Sequence, residues 1–329
     1  MFAIRVLCLL IGVVLLAIII VSTDIYAAIK LIQGMGWGIL LVTVAYSVIS
    51  FGDTLSFHVL THKIPMTIRN FYELWKIRLV GEAYNQVLPL GGLGGEPIKA
   101  VLLKQSTEMD LEEITASLFA AKTVNIVTLI IFLAVGFLLM GWEKRISPEF
   151  FRAAGLGLAV LSLGILGFFL IQRMGLLSVL FSRLLHRLKG RFLNVIAIIS
   201  NIEHRLYECY RYRKYRFLAS LFVALIVWVV SIVEVYLVLY FLGYPISWTE
   251  AWIIESGAQL VKAGTFFIPG SIGAFDGAFL LLCGMITGSP VVGAAVAVVR
   301  RLREISWTAF GFAIGIFRLK KYEQGKKKY

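Results

Sequence analysis

Acidic residues, histidine and cysteine are all scarce in this 329-residue sequence, which has 19 Asp and Glu, four His and three Cys. The cysteines lie far apart, at Cys8, Cys209 and Cys283, so they form no metal or redox motif. His58 and His62 are four residues apart but have no evident third ligand, and we expect no metal site. The phosphate-binding pattern Gly-x-x-x-x-Gly-Lys-Ser/Thr is missing as well. We therefore expect no cofactor and no direct use of ATP by this chain.

Apolar residues are what the sequence has in excess. They make up 59% of the chain, and the mean hydropathy is +0.87. Several apolar segments are long enough to cross a hydrocarbon core of about 30 Å. We therefore predict an all-α polytopic protein that forms one integral membrane domain over residues 1–329. In such a protein the net charge of +13 indicates cytoplasmic loops that meet anionic lipid headgroups, and not a nucleic-acid partner.

Six apolar segments predict full transmembrane helices, and two amphipathic stretches predict helices that lie in the membrane interface. The amphipathic stretches are 68–80 and the basic segment 173–216. Lys and Arg concentrate in that basic segment and in the C-terminal tail, which places both in the cytoplasm. Threading the chain back through the spans puts the N-terminus in the cytoplasm too. The membrane is expected to be the cell inner (plasma) membrane. The predicted spans cover about 4–21, 37–59, 111–140, 153–171, 217–242 and 290–317.

Two proline- and glycine-rich interruptions lie among these spans and share a pattern. In each, a proline is followed seven positions later by a carboxylate: Pro89 precedes Glu96, and Pro269 precedes Asp276. A broken helix in lipid must satisfy its freed backbone groups within the protein or in a water-filled cavity, so we expect two re-entrant or broken helical elements there. The candidate hinge residues are Pro89, Gly91, Gly92, Gly94, Gly95, Pro269, Gly270 and Gly273.

The orientations that follow from the positive charges are opposite for the two interrupted elements. The first enters the membrane from the cytoplasm and the second from outside. The pseudo-repeat halves, about 37–141 and 217–317, are then related as an inverted repeat, an arrangement typical of secondary transporters. Two ordinary kinked helices are the alternative interpretation.

Ionisable side chains inside predicted spans are rare in membrane proteins and are candidates for function. Arg300 and Glu304 are four residues apart, so they can pair on one face of a helix. Arg301 has no such local partner and needs an anion from another helix or from a ligand. Alternatively, these groups form internal salt bridges, for example Lys122 with Glu234, that only fix helix packing.

The excess of cations in these segments favours an anionic ligand such as a phosphate. The run Glu96-Pro97-Ile98-Lys99 predicts a helix start whose unpaired N–H groups attract an anion. We therefore expect a wet, positively charged cavity between the two interrupted elements. Its carboxylates, Glu96, Asp276 and Glu304, would shape the cation arrangement or bind a coupling proton. The candidate ligands of a lipid headgroup are Arg300, Arg301, Lys122, Lys99, Asn85 and Asn125.

Three runs of the sequence, 85–97, 268–277 and 300–304, resemble the lysylphosphatidylglycerol synthase transmembrane-domain family, also called flippase-like. They read Asn-Gln-Val-Leu-Pro-Leu-Gly-Gly-Leu-Gly-Gly-Glu-Pro, Ile-Pro-Gly-Ser-Ile-Gly-Ala-Phe-Asp-Gly and Arg-Arg-Leu-Arg-Glu. The last run, with 114–125, is similar to the branch associated with hopanoid biosynthesis, in which a glutamate is expected at Asp276. The resemblance implies a lipid translocase without the soluble aminoacyl-transferase domain that some relatives carry.

The function predicted from these features is movement of an anionic phospholipid, or of an isoprenoid- or hopanoid-type lipid, between leaflets by alternating access. A membrane-embedded transferase acting on a polyprenyl- or hopanoid-linked lipid stays open, with Asp53, Glu96 or Asp276 as general base. A non-catalytic scaffold of a lipid-synthesis complex also stays open. The expected partners are membrane lipids, with lipid-biosynthesis enzymes as further candidates.

Overall fold

The computed structural model describes residues 14, 17, 21, 24–87, 94–173, 205 and 213–326, and its regular elements there are ten α-helices and one 3-10 turn. Most of the predicted span at 4–21 and most of the basic segment 173–216 lie outside the described residues. The helices are α1 (Ile25–Gly34), α2 (Gly38–Leu60), α3 (Ile68–Val87), α4 (Glu96–Ser106), α5 (Leu111–Met140), α6 (Pro148–Arg173), α7 (Lys214–Phe241), α8 (Trp248–Gly264), α9 (Ala274–Thr287) and α10 (Pro290–Lys326).

Four helices of the described part are long and apolar enough to cross a membrane: α2, α5, α7 and the Pro148–Gly167 part of α6. They correspond to four of the six predicted spans and make the chain a multi-pass membrane protein. The predicted span at 290–317 lies within α10, whose middle carries the charged run 300–304. The six-span count and the inverted repeat therefore stay predictions.

Helix α10 is central to the packing, since it contacts α1, α2, α3, α7 and α9. The largest apolar core joins it to α7, α8 and α9, where Leu239, Ile254, Phe279 and Val296 are completely buried. Helices α9 and α10 approach closely at Gly293, where a Cβ would lie 2.4 Å from the carbonyl oxygen of Phe279. A small residue is therefore required at this contact.

The first interruption separates α3 from α4. Gly95 N–H donates a 2.6 Å hydrogen bond to Asn85 Oδ1, and a Cβ on Gly95 would lie 1.8 Å from Gly81 O, so α4 packs closely against α3. The 11 residues of α4 span only about 16 Å, too little to cross a membrane. The loop between the helices, with the predicted hinges Pro89, Gly91 and Gly92, lies outside the described residues.

Helix α3 differs from its predicted role as an interfacial helix over 68–80. It continues to Val87 and packs against α10, α4 and α2, and Leu74, Ile77, Leu79 and Val80 are buried. Its charged and aromatic residues suggested a surface position, but the structure places several of them inside the bundle.

The second interruption falls at the predicted position. Helix α8 ends at Gly264, a 3-10 turn follows at Pro269–Ser271, and α9 begins at Ala274 and packs beside α8. Gly270 and Gly273 have φ angles of 58° and 81°, in the left-handed region that glycine adopts without strain. At 17 and 14 residues, α8 and α9 are about 25 Å and 21 Å long, so each is shorter than the hydrocarbon core.

Candidate functional site

The α3–α4 pair (first hairpin) and the α8–α9 pair (second hairpin) meet inside the bundle. A Cβ placed on Gly270 in the turn of the second hairpin would lie 3.6 Å from Gln86 Oε1 near the end of α3. A cavity of about 550 Å³ opens beside this contact, with walls from α2, α3, α4, α5, α7, α8 and α10. Its size is within the range of small-molecule sites in proteins.

The cavity wall carries equal numbers of acidic and basic side chains. The expectation of a positively charged cavity is therefore wrong, because the formal charges of its lining cancel. The charge excess of the whole chain resides elsewhere. The six basic residues are Arg78, Lys99, Lys122, Lys262, Arg300 and Arg303, and the six acidic residues are Asp53, Glu82, Glu96, Glu234, Glu255 and Glu304.

The deepest ion pairs link α10 to α7 and α8. Arg300 lies 3.2 Å from Glu234 and 2.9 Å from Glu255, and Arg303 donates a 2.9 Å hydrogen bond to Glu234. The predicted pairing of Arg300 with Glu304 is wrong, because the guanidinium reaches the neighbouring helices. All four groups are more than 90% buried, so these pairs hold the wall of the cavity together.

Some polar atoms of this buried cluster have no hydrogen-bond partner in the described structure. They are Glu234 Oε1, Glu255 Oε2, Arg300 Nε and Arg303 Nε, although Glu255 Oε2 lies 2.9 Å from Arg300 Nη1. Buried polar atoms are nearly always hydrogen-bonded, to protein or to ordered water. All four residues line the cavity, but these atoms themselves are buried in its wall.

Arg301 joins α10 to the turn of the second hairpin. Its Nε and Nη2 donate 2.9 Å hydrogen bonds to the two carboxylate oxygens of Asp276, and its Nη1 donates to Glu304 at 2.9 Å and to Gly270 O at 3.1 Å. Asp276 also accepts a hydrogen bond from Gly273 N–H at the start of α9. The anion that Arg301 was expected to need is thus supplied by the protein itself.

At the first hairpin one carboxylate lies between two lysines. Glu96 Oε1 lies 3.0 Å from Lys99 Nζ and 3.3 Å from Lys122 Nζ, and Asn85 and Asn125 line the same wall. The example pairing of Lys122 with Glu234 is wrong, because Lys122 reaches α4 instead of α7. Both lysines are partly exposed and line the cavity.

A further cluster joins α2 to α3, and among its residues only Asp53 was predicted as a candidate, as general base of a transferase. The Nη2 atom of Arg78 contacts both Asp53, at 2.5 Å, and Glu82, and Arg78 Nη1 donates to Ser50 O. Tyr46 lies nearby, with its ring 4.1 Å from the guanidinium carbon of Arg303. Arg78 and Glu82 are four residues apart, a helical spacing that could have identified the pair once α3 was placed inside the bundle.

Outside the spans, Arg145 in the α5–α6 loop links several elements. It donates hydrogen bonds to Glu143 at 2.8 Å and to Ile286 O at the end of α9, and it also contacts Glu250 at the start of α8. The hydrogen bond from Arg145 holds the pKa of Glu143 below its ordinary value. This loop therefore ties the start of α8 and the end of α9 to α5 and α6.

Metal chemistry has no evident site in the part of the chain that the structure describes. No group of three His, Cys, Asp or Glu residues is arranged to hold an ion there. His58 Nε2 lies 3.1 Å from Pro65 O, and Cys283 is a buried free thiol. The histidine is thus engaged with the backbone.

Comparison with known proteins gives one match. A family model described as lysylphosphatidylglycerol synthase TM region matches residues 5–311, which include both interrupted elements and the charged run 300–304. No curated protein and no solved structure matches the chain.

Proposed function

Because the chain belongs to the lysylphosphatidylglycerol synthase transmembrane-region family, we propose that it moves a lipid headgroup between the two leaflets of a membrane. The family implies contact with membrane phospholipids. Transport through this chain would need a polar path within the hydrocarbon core, since a charged headgroup cannot cross apolar helices unaided.

The observation that carries the proposal is the cavity of about 550 Å³ at the meeting point of the two hairpins. Neither α4 nor α9 is long enough to cross the membrane, and the turn of the second hairpin lies beside Gln86 of α3 inside the bundle. Twelve ionisable side chains line the cavity. Such a density of charge is tolerated in a membrane domain only around water or a polar ligand.

Within this cavity we assign the phosphate to the wall of the first hairpin. Lys99 and Lys122 place two ammonium groups beside the single carboxylate of Glu96, and the amides of Asn85 and Asn125 add hydrogen-bonding groups. Arg300 and Arg301, which were also candidates, are engaged by Glu255, Glu234, Asp276 and Glu304. We assign these two arginines to holding α10 against its neighbours.

The finer parts of the proposal concern the lipid and the topology. We propose an anionic phospholipid or an isoprenoid- or hopanoid-type lipid as cargo, the latter from the similarity of 114–125 and 300–304 to the hopanoid-associated branch. The comparisons do not extend to that branch. We further propose that halves 37–141 and 217–317 rock against each other as an inverted repeat, in the inner membrane, with both termini in the cytoplasm.

Lipid exchange in liposomes tests this function. The purified full-length chain is reconstituted with a fluorescent phospholipid, and a quencher that cannot cross the membrane reports how fast the inner-leaflet probe reaches the outside. We expect faster exchange than in empty liposomes, with no chemical change of the lipid. A modified lipid would support a transferase instead, and intact lipid without exchange would support a scaffold.

The substitution Lys122→Gln tests whether the phosphate binds at the wall of the first hairpin. We expect it to slow exchange at least tenfold, because one of the two ammonium groups near Glu96 is lost, an effect equal to about 1.4 kcal/mol in the barrier. Lys144→Gln, in the exposed α5–α6 loop, is the matched control and should exchange at the wild-type rate. Equal rates in the two variants would remove Lys122 from the path.

A further inference from the structure

The carboxylates of the cavity are not equally supplied with cations. Glu96 lies between Lys99 and Lys122, and Glu304 contacts Arg301, with Lys262 3.7 Å away. The buried residues Glu234 and Glu255 share Arg300, and Glu234 has Arg303 in addition. Glu96 and Glu304 therefore each have two cations nearby, and Glu234 and Glu255 together have two.

Asp53 and Glu82 are the exception, because they share one guanidinium. Both carboxylates contact the same nitrogen, Arg78 Nη2, which holds their oxygens within about 5 Å of each other. Two carboxylates this close repel each other when both are ionised. With Arg78 the cluster has one negative charge too many when both acids are ionised.

Among the groups that face this pair from the surrounding helices, Lys99 of α4 is a further cation that acts on Asp53, and it also forms an ion pair with Glu96 at 3.0 Å. The other titratable and charged groups that face the pair are Tyr46 of α2, Lys122 of α5, Glu234 of α7 and Arg303 of α10.

A second observation indicates that protons can reach the pair. Asp53 and Glu82 line the same cavity as Glu234, whose Oε1 atom is buried and has no partner among the described residues. Tyr46 and Arg303 lie between the two groups, with the ring and guanidinium in contact. Water in this polar cavity, which both carboxylates line, would connect the pair to the other groups of its wall.

From this arrangement we propose that Asp53 and Glu82 together bind one proton, and that release of this proton accompanies headgroup movement through the cavity. The coupling part of the proposal rests on the proposed function, whereas proton binding by the pair does not. In the protonated state the pair and Arg78 are neutral as a group. Loss of the proton leaves one negative charge that attracts Arg78 and the neighbouring lysines, which changes how the first hairpin meets α2.

Proton binding is tested without transport by infrared spectroscopy of the full-length chain in liposomes at pH 7, where ordinary carboxylates are ionised. We expect a protonated-carboxyl band that is lost in Asp53→Asn and equally lost in Glu82→Gln. Because the pair shares one proton, the double variant should lose no more than either single variant. Glu149→Gln, at a carboxyl whose side chain is 76% exposed, is the matched control and should keep the band. An unchanged band in both cavity variants overturns the proposal.

Coupling is tested in the liposome exchange assay with a pH difference of one unit across the membrane. We expect the wild-type exchange rate to differ at least twofold between the two directions of the gradient, and we expect this difference to vanish in Asp53→Asn and in Glu82→Gln. Wild-type exchange that ignores the gradient overturns the coupling. If no exchange occurs at all, the proposed function fails, and the infrared result still decides whether the pair binds a proton.

Discussion

Removal of the Arg301 side chain separates a structural role of this residue from a role in headgroup binding. Arg301 makes two 2.9 Å hydrogen bonds to Asp276, one to Glu304 and one to Gly270 O. Asp276 is 4% exposed in the wild-type structure, and in Arg301→Ala it keeps only the hydrogen bond from Gly273 N–H. The variant therefore leaves a nearly buried carboxylate without its cation.

The expected loss of stability follows from these contacts. Removing one partner of a buried ion pair costs about 3–5 kcal/mol. Arg301 is 24% exposed and Asp276 keeps one backbone donor, so we expect a smaller loss, about 2–3 kcal/mol in the free energy of unfolding. The double variant Arg301→Ala/Asp276→Ala should recover part of this loss, with a coupling energy of about 1–3 kcal/mol.

Unfolding of the purified protein in detergent, by heat and by denaturant, measures the effect. Arg152→Ala is the control, because Arg152 is 76% exposed and lies 3.8 Å from Glu149, and it should change stability by less than about 0.5 kcal/mol. If Arg301→Ala has wild-type stability but loses lipid exchange, Arg301 does not hold α10 against the second hairpin. The residue would then be assigned to headgroup binding.

Two further substitutions test the close contact between α9 and α10 and the α5–α6 loop. Gly293→Ala should destabilise the protein by about 1–3 kcal/mol, since its Cβ would lie 2.4 Å from Phe279 O. Gly164 has open space around it, so Gly164→Ala should leave the stability unchanged. Denaturant unfolding of the two variants measures the difference. Glu143→Gln should unfold at a lower temperature than wild type at pH 7. The Arg145 hydrogen bond lowers the folded-state pKa of Glu143, so its contribution is present above the unfolded pKa of about 4.3 and is lost as pH falls through the folded value. The two melting temperatures should therefore converge in acid, and a constant difference down to that range would contradict the role of the ionised carboxylate.

Local features of the fold could be predicted from the sequence because their causes are local. The second interruption falls where Pro269, Gly270 and Gly273 remove a backbone donor and permit positive φ angles. Helix α4 begins at Glu96 with Pro97 in its first turn, as the run predicted. In both cases the residue types alone restrict the backbone.

The partners of the charged side chains could not be predicted in the same way. Arg300 pairs with groups 66 and 45 positions away, and Lys122 with a group 26 positions away. Such pairs depend on which helices pack together, and a helical spacing of four finds only partners on the same helix. The prediction for α3 failed for a related reason, because mixed aromatic and charged residues are typical both of an interfacial helix and of one that lines a polar cavity.

The burial of the ion pairs indicates which of them can open during transport. Arg300 and Glu255 have side chains 4% and 0% exposed, and separating them would leave Glu255 as a buried charge without a cation, at a cost of several kcal/mol. The Lys122 side chain is 34% exposed and that of Glu96 is 16% exposed. Cavity water or a phosphate can therefore take the place of one of these two partners at little cost. An anion that enters the cavity can therefore take the place of Glu96 beside Lys99 and Lys122. The wall of the first hairpin is where this exchange of partners costs least, and the pairs of α10 with α7, α8 and α9 are the fixed frame against which it occurs.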